Sequence, residues 1–128
     1  MPQRQLPRVL IVDDHPEMAR SLARLLGGDA QAITAASGAD ALARITESGR
    51  FDLVFCDVMM PGMTGLELFE RVRAIDPATA AAFVFTTGGV SPEYQAMLDA
   101  TGAPCLLKPC DFDHLRGLIA AVQRDPVD

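Results

Sequence analysis

Five polar residues stand out by type and by where they fall. Asp13 and Asp14 follow the apolar run at 9–12, and Asp57 follows the run at 53–56. Thr87 closes the stretch begun by the run at 82–85, and Lys108 follows the run at 105–107. Three carboxylates gathered in one place repel one another unless a cation joins them. Oxygen-only donors suit a hard ion, and Mg²⁺ characteristically takes one or two carboxylates, waters and a phosphate oxygen. One carboxylate of such a set can attack phosphorus and form an acyl phosphate. Phosphoryl transfer needs mostly positioning and neutralisation of charge. The ion, the Lys108 ammonium and the Thr87 hydroxyl could supply both.

That chemistry requires elements able to bring distant residues together. Five short apolar runs, at 9–12, 32–36, 53–56, 82–85 and 105–107, alternate with five stretches of helical period. Unbroken or β-branched runs are how strands buried on both faces read, as in a parallel sheet. The run at 32–36 is mostly alanine and is a strand by its place in the alternation. The helical stripes are Met18, Leu22, Leu25 and Leu26; Ala41, Leu42 and Ile45; Leu66, Phe69, Val72 and Ile75; Tyr94, Met97 and Leu98; then Phe112, Leu115, Leu118, Ile119 and Val122. Gly27-Gly28 and Gly49 mark helix ends, and Ser91-Pro92 marks a start. The pattern predicts an α/β fold: a doubly wound, five-stranded parallel sheet with helices on both faces and right-handed crossovers. With strand order 2-1-3-4-5, the order reverses between strands 1 and 3, where ligands of such sheets bind. Asp13, Asp14 and Asp57 would meet there, with Thr87 and Lys108 on the neighbouring strands.

The bulk properties narrow the function classes. A chain of 128 residues, 49% hydrophobic, is one domain's worth and not a disordered tail. We expect a domain over 8–124, an extension at 1–7 and a fraying tail at 125–128. A net charge of −6 argues against nucleic acid as a direct partner. The apolar runs fall short of the ~18–20 residues that span a bilayer. Residues 1–8 lack the apolar core of a signal peptide, so a cytoplasmic location is expected. Cys56, Cys105 and Cys110 form an odd set without CxxC spacing, which reads as reduced, packed thiols.

The segments VLIVDDHPEMARSLARLL, DLVFCDVMMPGMTGLEL, FVFTTGG and LLKPCDFDHL, in this order, resemble the receiver domain of response regulators and hybrid histidine kinases. The resemblance covers roughly residues 8–123 and implies a flavodoxin-like fold. It makes Asp57 the phosphoacceptor, Asp14 a direct Mg²⁺ ligand and Asp13 an acidic neighbour acting largely through water. Met59 would lend its backbone carbonyl to the metal, Thr87 would be the switch hydroxyl, and Lys108 would bind the phosphoryl group. It also implies a cis Lys108-Pro109 bond. The partner would be a histidine kinase or phosphotransfer domain, docking near Met18, Ala19, Pro109 and Cys110. Such a module signals by changing conformation and catalyses its own phosphorylation and dephosphorylation. It is either part of a hybrid kinase or a single-domain regulator.

Departures and rivals remain. The family commonly has an aromatic where this chain has Cys105, and Phe where it has Cys110, so coupling between the switch hydroxyl and that ring cannot operate in its familiar form. Activation would instead pass through residues 87–91 and the fourth helix. Thr86 rivals Thr87, since strand alternation points only one of them into the site. His15 reads as an exposed loop residue and Cys56 as core. A haloacid dehalogenase-type hydrolase would carry a second Asp two residues after its nucleophile, where this chain has Met59. A flavin-binding flavodoxin would want a Ser/Thr/Gly-rich phosphate loop after strand 1, where this chain has DDHPEM.

Overall fold

The computed structural model describes residues 6–122. Its strands are β1 (Arg8–Val12), β2 (Gln31–Ala35), β3 (Leu53–Asp57), β4 (Phe83–Thr87) and β5 (Cys105–Leu107). They form one sheet in the order β2-β1-β3-β4-β5, and every pairing is parallel. The helices are α1 (Pro16–Leu26), α2 (Gly38–Ser48), α3 (Gly65–Ile75), α4 (Pro77–Ala80), α5 (Pro92–Asp99) and α6 (Phe112–Val122). The doubly wound α/β architecture is the one the alternation predicts.

Two strands are displaced from their expected places. The second begins and ends one residue earlier than 32–36, and the fourth starts at Phe83 and continues through both threonines. A short sixth helix, α4, follows α3 directly and was not among the five expected helical stretches. The Asp76 carboxylate accepts from the Thr79 N–H at 3.2 Å and the Thr79 hydroxyl at 2.7 Å, so the residue that ends α3 also caps the next turn. The expected tail at 125–128 and most of the extension at 1–7 lie outside the described residues.

Successive strand residues point to opposite faces, and the core divides accordingly. Leu10, Val12, Val54, Cys56, Phe83 and Phe85 pack with α2, α3, α4 and α5. Val9, Ile11, Leu53, Phe55 and Val84 pack with α1 and α6. The helices are rotated from their expected stripes. On α1 the inward line is Ala19, Leu22, Ala23 and Leu26, while Met18 and Leu25 are exposed. On α3 it is Gly65, Leu68, Phe69 and Val72, and Ile75 is exposed. Both lines follow i, i+3, i+4, i+7, but their small members bring the helix axis close to the sheet. A reading weighted by side-chain size passes over Ala and Gly, and so it turns the face.

Candidate functional site

The parallel ladder delivers the polar residues to one edge. Asp13 leaves β1 with its N–H donating to the Ala35 carbonyl at 3.1 Å, and the Lys108 N–H donates to the Thr87 carbonyl at 2.7 Å. Asp57 is the last residue of β3, and its side chain is only 7% exposed. Lys108 Nζ stands 3.3 Å from Asp57 Oδ2 and 3.5 Å from Asp13 Oδ2. The Lys108-Pro109 peptide is cis, as the resemblance implies.

One ligand atom from each of Asp13, Asp14, His15 and Asp57 lies within 4.8 Å of the other three. The convergence of Asp13, Asp14, Asp57 and Lys108 is therefore as expected. His15 was not expected there. Its ring is largely exposed, yet Nδ1 lies 3.1 Å from Asp13 Oδ1 and 3.4 Å from Asp14 Oδ1. Its backbone N–H donates to Asp13 Oδ1 at 2.9 Å.

Thr87 and Met59 stand differently. Thr87 is buried, and its hydroxyl accepts from the Gly89 N–H at 3.0 Å. Alternation along β4 sends Thr87 to the face of Phe85 and sends Thr86, paired with Asp57 in the register, to the face of α1 and α6. Met59 lies two residues beyond Asp57 with its side chain exposed.

The junction after β3 is held from below. The Gly65 N–H donates to the Val58 carbonyl at 2.8 Å. Thr64 Oγ1 accepts from the Glu67 N–H at 3.2 Å, while Glu67 Oε1 accepts from the Thr64 N–H at 3.1 Å. This reciprocal cap fixes where α3 starts and hence the path from Asp57 to it. The Thr-Gly-Leu-Glu spacing carries that signal in the sequence.

Charge is unbalanced here. Burial raises the Asp57 pKa above the usual carboxylate range, and Asp13 and Asp14 add to the rise against the opposing pull of Lys108. Burial lowers the Lys108 pKa, but Asp57 and Asp13 outweigh it and hold the ammonium above its ordinary value. Three acids thus share one close ammonium. Asp14 Oδ1 is buried and accepts no hydrogen bond, the His15 nitrogen nearby notwithstanding. A buried carboxylate oxygen without a donor is costly. The oxygen-rich donors, the surplus negative charge and this orphan atom fit a divalent cation.

Beside the site, a groove of about 690 Å³ runs between α1 and the segment after β5. Met18, Ala19, Thr86, Lys108, Pro109 and Cys110 contribute to its walls. Burial raises the Cys110 thiol pKa, partly offset by Lys108. Cys56 is a fully buried thiol, as expected of core. Among the described residues, no helix is long and apolar enough to cross a membrane.

A doubly wound sheet with this strand order, carrying an acidic cluster and a lysine at its carboxyl edge, is the architecture of a two-component signalling module. The chain belongs to the response regulator receiver domain family, whose model matches residues 9–120. It is 36% identical over 113 residues to the sensor histidine kinase RcsC of Salmonella typhi, covering 88% of this chain. It spans 12% of that relative's length. Among solved structures, the chemotaxis protein CheY4 of Vibrio cholerae superposes with a TM-score of 0.79 at 31% identity, covering 92% of this chain and 99% of that one. The response regulator TrrA of Thermotoga maritima, solved in complex with Mg²⁺ and BeF, gives a TM-score of 0.74 at 29% identity, with 91% and 99% covered.

Proposed function

We propose that this receiver domain, over residues 8–124, accepts a phosphoryl group on Asp57 from a phosphohistidine of a histidine kinase or phosphotransfer domain. The observation that carries the reading is the placement of Asp57: buried, 3.3 Å from Lys108, and within reach of Asp13 and Asp14. A carboxylate oxygen of Asp57 attacks phosphorus, and the bond from phosphorus to the donor's imidazole nitrogen breaks. The electron pair stays on that nitrogen, which takes up a proton. The product is an acyl phosphate on Asp57.

Asp13, Asp14, Asp57 and the Met59 carbonyl would hold Mg²⁺, which supplies positive charge next to the phosphoryl oxygens. Lys108, directly after β5, supplies the protein's own positive charge. The Thr87 hydroxyl, which accepts from the Gly89 N–H, would donate its own proton to a phosphoryl oxygen, pulling on the loop that leads to α5. Cys105 is half-buried beside Phe85 in the β4–β5 register and offers no ring to move with it. The response therefore passes through residues 87–91.

Met18, Ala19, Pro109 and Cys110 share the wall of one groove, which supports docking of the phosphoryl donor there. Apolar, adaptable side chains admit a partner surface closely, and Met re-packs readily. A cytoplasmic place suits such a partner. The relation to RcsC is in keeping with a segment of a hybrid kinase; a single-domain regulator is the second reading.

The test is labelling by acetyl phosphate with Mg²⁺, read by intact mass. The expected result is one added phosphoryl group, lost on removal of Mg²⁺ and in Asp57→Asn. Full labelling of Asp57→Asn would exclude Asp57 as the acceptor.

A further inference from the structure

His15 occupies the N-cap of α1, yet its side chain makes no capping hydrogen bond. The ring faces the carboxylates instead, and the distances there are informative. An octahedral ion with bonds of about 2.1 Å holds adjacent donors about 3.0 Å apart. His15 Nδ1 lies 3.1 Å from Asp13 Oδ1 and 3.4 Å from Asp14 Oδ1, close to two edges of such an octahedron. Asp57 joins the same cluster, in which one ligand atom from each of the four residues lies within 4.8 Å of the others.

The electrostatics point the same way. With Nδ1 unprotonated, three lone-pair atoms face one another, and only Asp13 Oδ1 has a donor, the His15 backbone N–H. A proton on Nδ1 can serve Asp13, but it leaves Asp14 Oδ1 buried without a hydrogen-bond partner. A cation would serve all three.

We infer that His15 is a ligand of the cation site, through Nδ1, and that it shifts the site's selectivity towards imidazole-favouring divalent ions. This rests on the proposed metal site and deepens it. Carboxylate, carbonyl and water donors suit Mg²⁺ and Mn²⁺, whereas imidazole suits later first-row ions such as Co²⁺, Ni²⁺ and Zn²⁺. The affinity order itself favours Ni²⁺ over Mg²⁺ at almost any site, so the signature is the part of that preference that depends on His15. The coordinating tautomer carries its proton on Nε2, on the outer side of a largely exposed ring.

The experiment titrates the full chain with Ni²⁺ and with Mg²⁺ by calorimetry, for wild type and for His15→Asn, which keeps a polar residue at the N-cap. We expect the ratio of Ni²⁺ to Mg²⁺ affinity to fall on the order of tenfold in the variant, the scale on which metal sites respond to loss of a supporting group. A second measurement needs no variant to be well behaved. Proton NMR of the Co²⁺-loaded wild type should show one strongly shifted resonance from a non-exchangeable imidazole ring C–H. An unchanged affinity ratio, or absence of that resonance in Co²⁺-saturated protein, overturns the inference. If Mg²⁺ binds and Asp57 still labels in those cases, only the role of His15 falls. If no divalent ion binds, the metal site of the proposed function falls with it.

Discussion

Gly65 is the residue through which the helix after β3 touches Asp57, the proposed phosphoacceptor, and replacing it should disturb both stability and chemistry. A β-carbon there would lie 2.5 Å from the Asp57 carbonyl oxygen and 3.0 Å from Val58 Cα. Both neighbours are backbone, so no side chain can rotate aside. To restore ordinary contact, the junction between β3 and α3 must open by about 1 Å. Overpacking of this kind costs about 1–3 kcal/mol, while alanine in place of glycine returns at most about 1 kcal/mol in a helix. The balance is a loss of up to about 2 kcal/mol, or a fall in Tm of up to roughly 10 °C for a domain of this size.

Gly117 makes the control. It lies inside α6, and its β-carbon would meet nothing within 4 Å. Gly117→Ala should therefore raise Tm by a few degrees, as Gly65→Ala lowers it. Differential scanning calorimetry of the two variants decides the sign. A Tm for Gly65→Ala at or above wild type would refute the steric argument. The second readout is the rate of labelling by acetyl phosphate under conditions where the variant is folded. Misplacement of a reacting group by about 1 Å can cost on the order of 10²-fold, so a loss of roughly 10–100-fold is expected. A destabilised variant that labels at the wild-type rate would show that Gly65 supports the fold without positioning Asp57.

Three further outcomes follow from the same geometry. Mg²⁺ a hundredfold above its dissociation constant should stabilise the fold by about 2.7 kcal/mol, and Asp14→Asn should remove most of that; a Tm indifferent to millimolar Mg²⁺ would argue against a preformed site. Hydrogen bonds from the Thr79 hydroxyl and N–H lower the Asp76 pKa below the usual carboxylate range. The cap therefore stabilises above the unfolded value of about 3.9 and loses its effect as pH falls through the lower folded value. Asp76→Ala should accordingly cost about 1 kcal/mol at neutral pH and much less below both values in urea titrations. Loss of the phosphoryl group should be slow, because the side chains two residues beyond Asp57 and Thr87 are Met59 and Gly89, neither of which can hydrogen-bond an attacking water. Met59→Asn should speed that decay several-fold, and equal or slower decay would contradict it.

The parts of this molecule that can be read from its sequence are those written in continuous apolar runs. β1, β3 and β4 are buried on both faces along most of their length, so their central residues are apolar, and the first polar residue after each run marks the carboxyl edge where ligands bind. Asp13 and Asp57 were legible for that reason, whereas Lys108 follows the short, partly exposed edge run of β5. β2 was harder, because at the sheet edge it is only partly covered and its residues carry a weaker signal. α4 spans four residues, too few for any periodicity, and only the Asp76-Pro77-Ala78-Thr79 cap announces it. The rotated faces of α1 and α3 were hidden because Ala19, Ala23 and Gly65 do the close packing without large apolar side chains.

Orientation within the site is the level the sequence does not reach. Thr86 and Thr87 have the same chemistry and differ by one place in a period of two; the resemblance favours Thr87, which precedes Gly88-Gly89, while the register pairs Thr86 with Asp57. His15 is a sharper case. Its position ahead of Pro16 and the first turn of α1 makes an exposed loop residue a sound expectation, and its ring is indeed exposed. What no pattern of residue types encodes is the extended backbone at that residue, φ −103° and ψ 93°, with the ring turned towards Asp13 and Asp14 and away from the helix amides. An N-cap that could have accepted from the helix leaves its nitrogen at the carboxylates, where negative charge is already in surplus. Residue types and strand ends therefore locate the site, and backbone dihedrals at its rim decide which donors it contains.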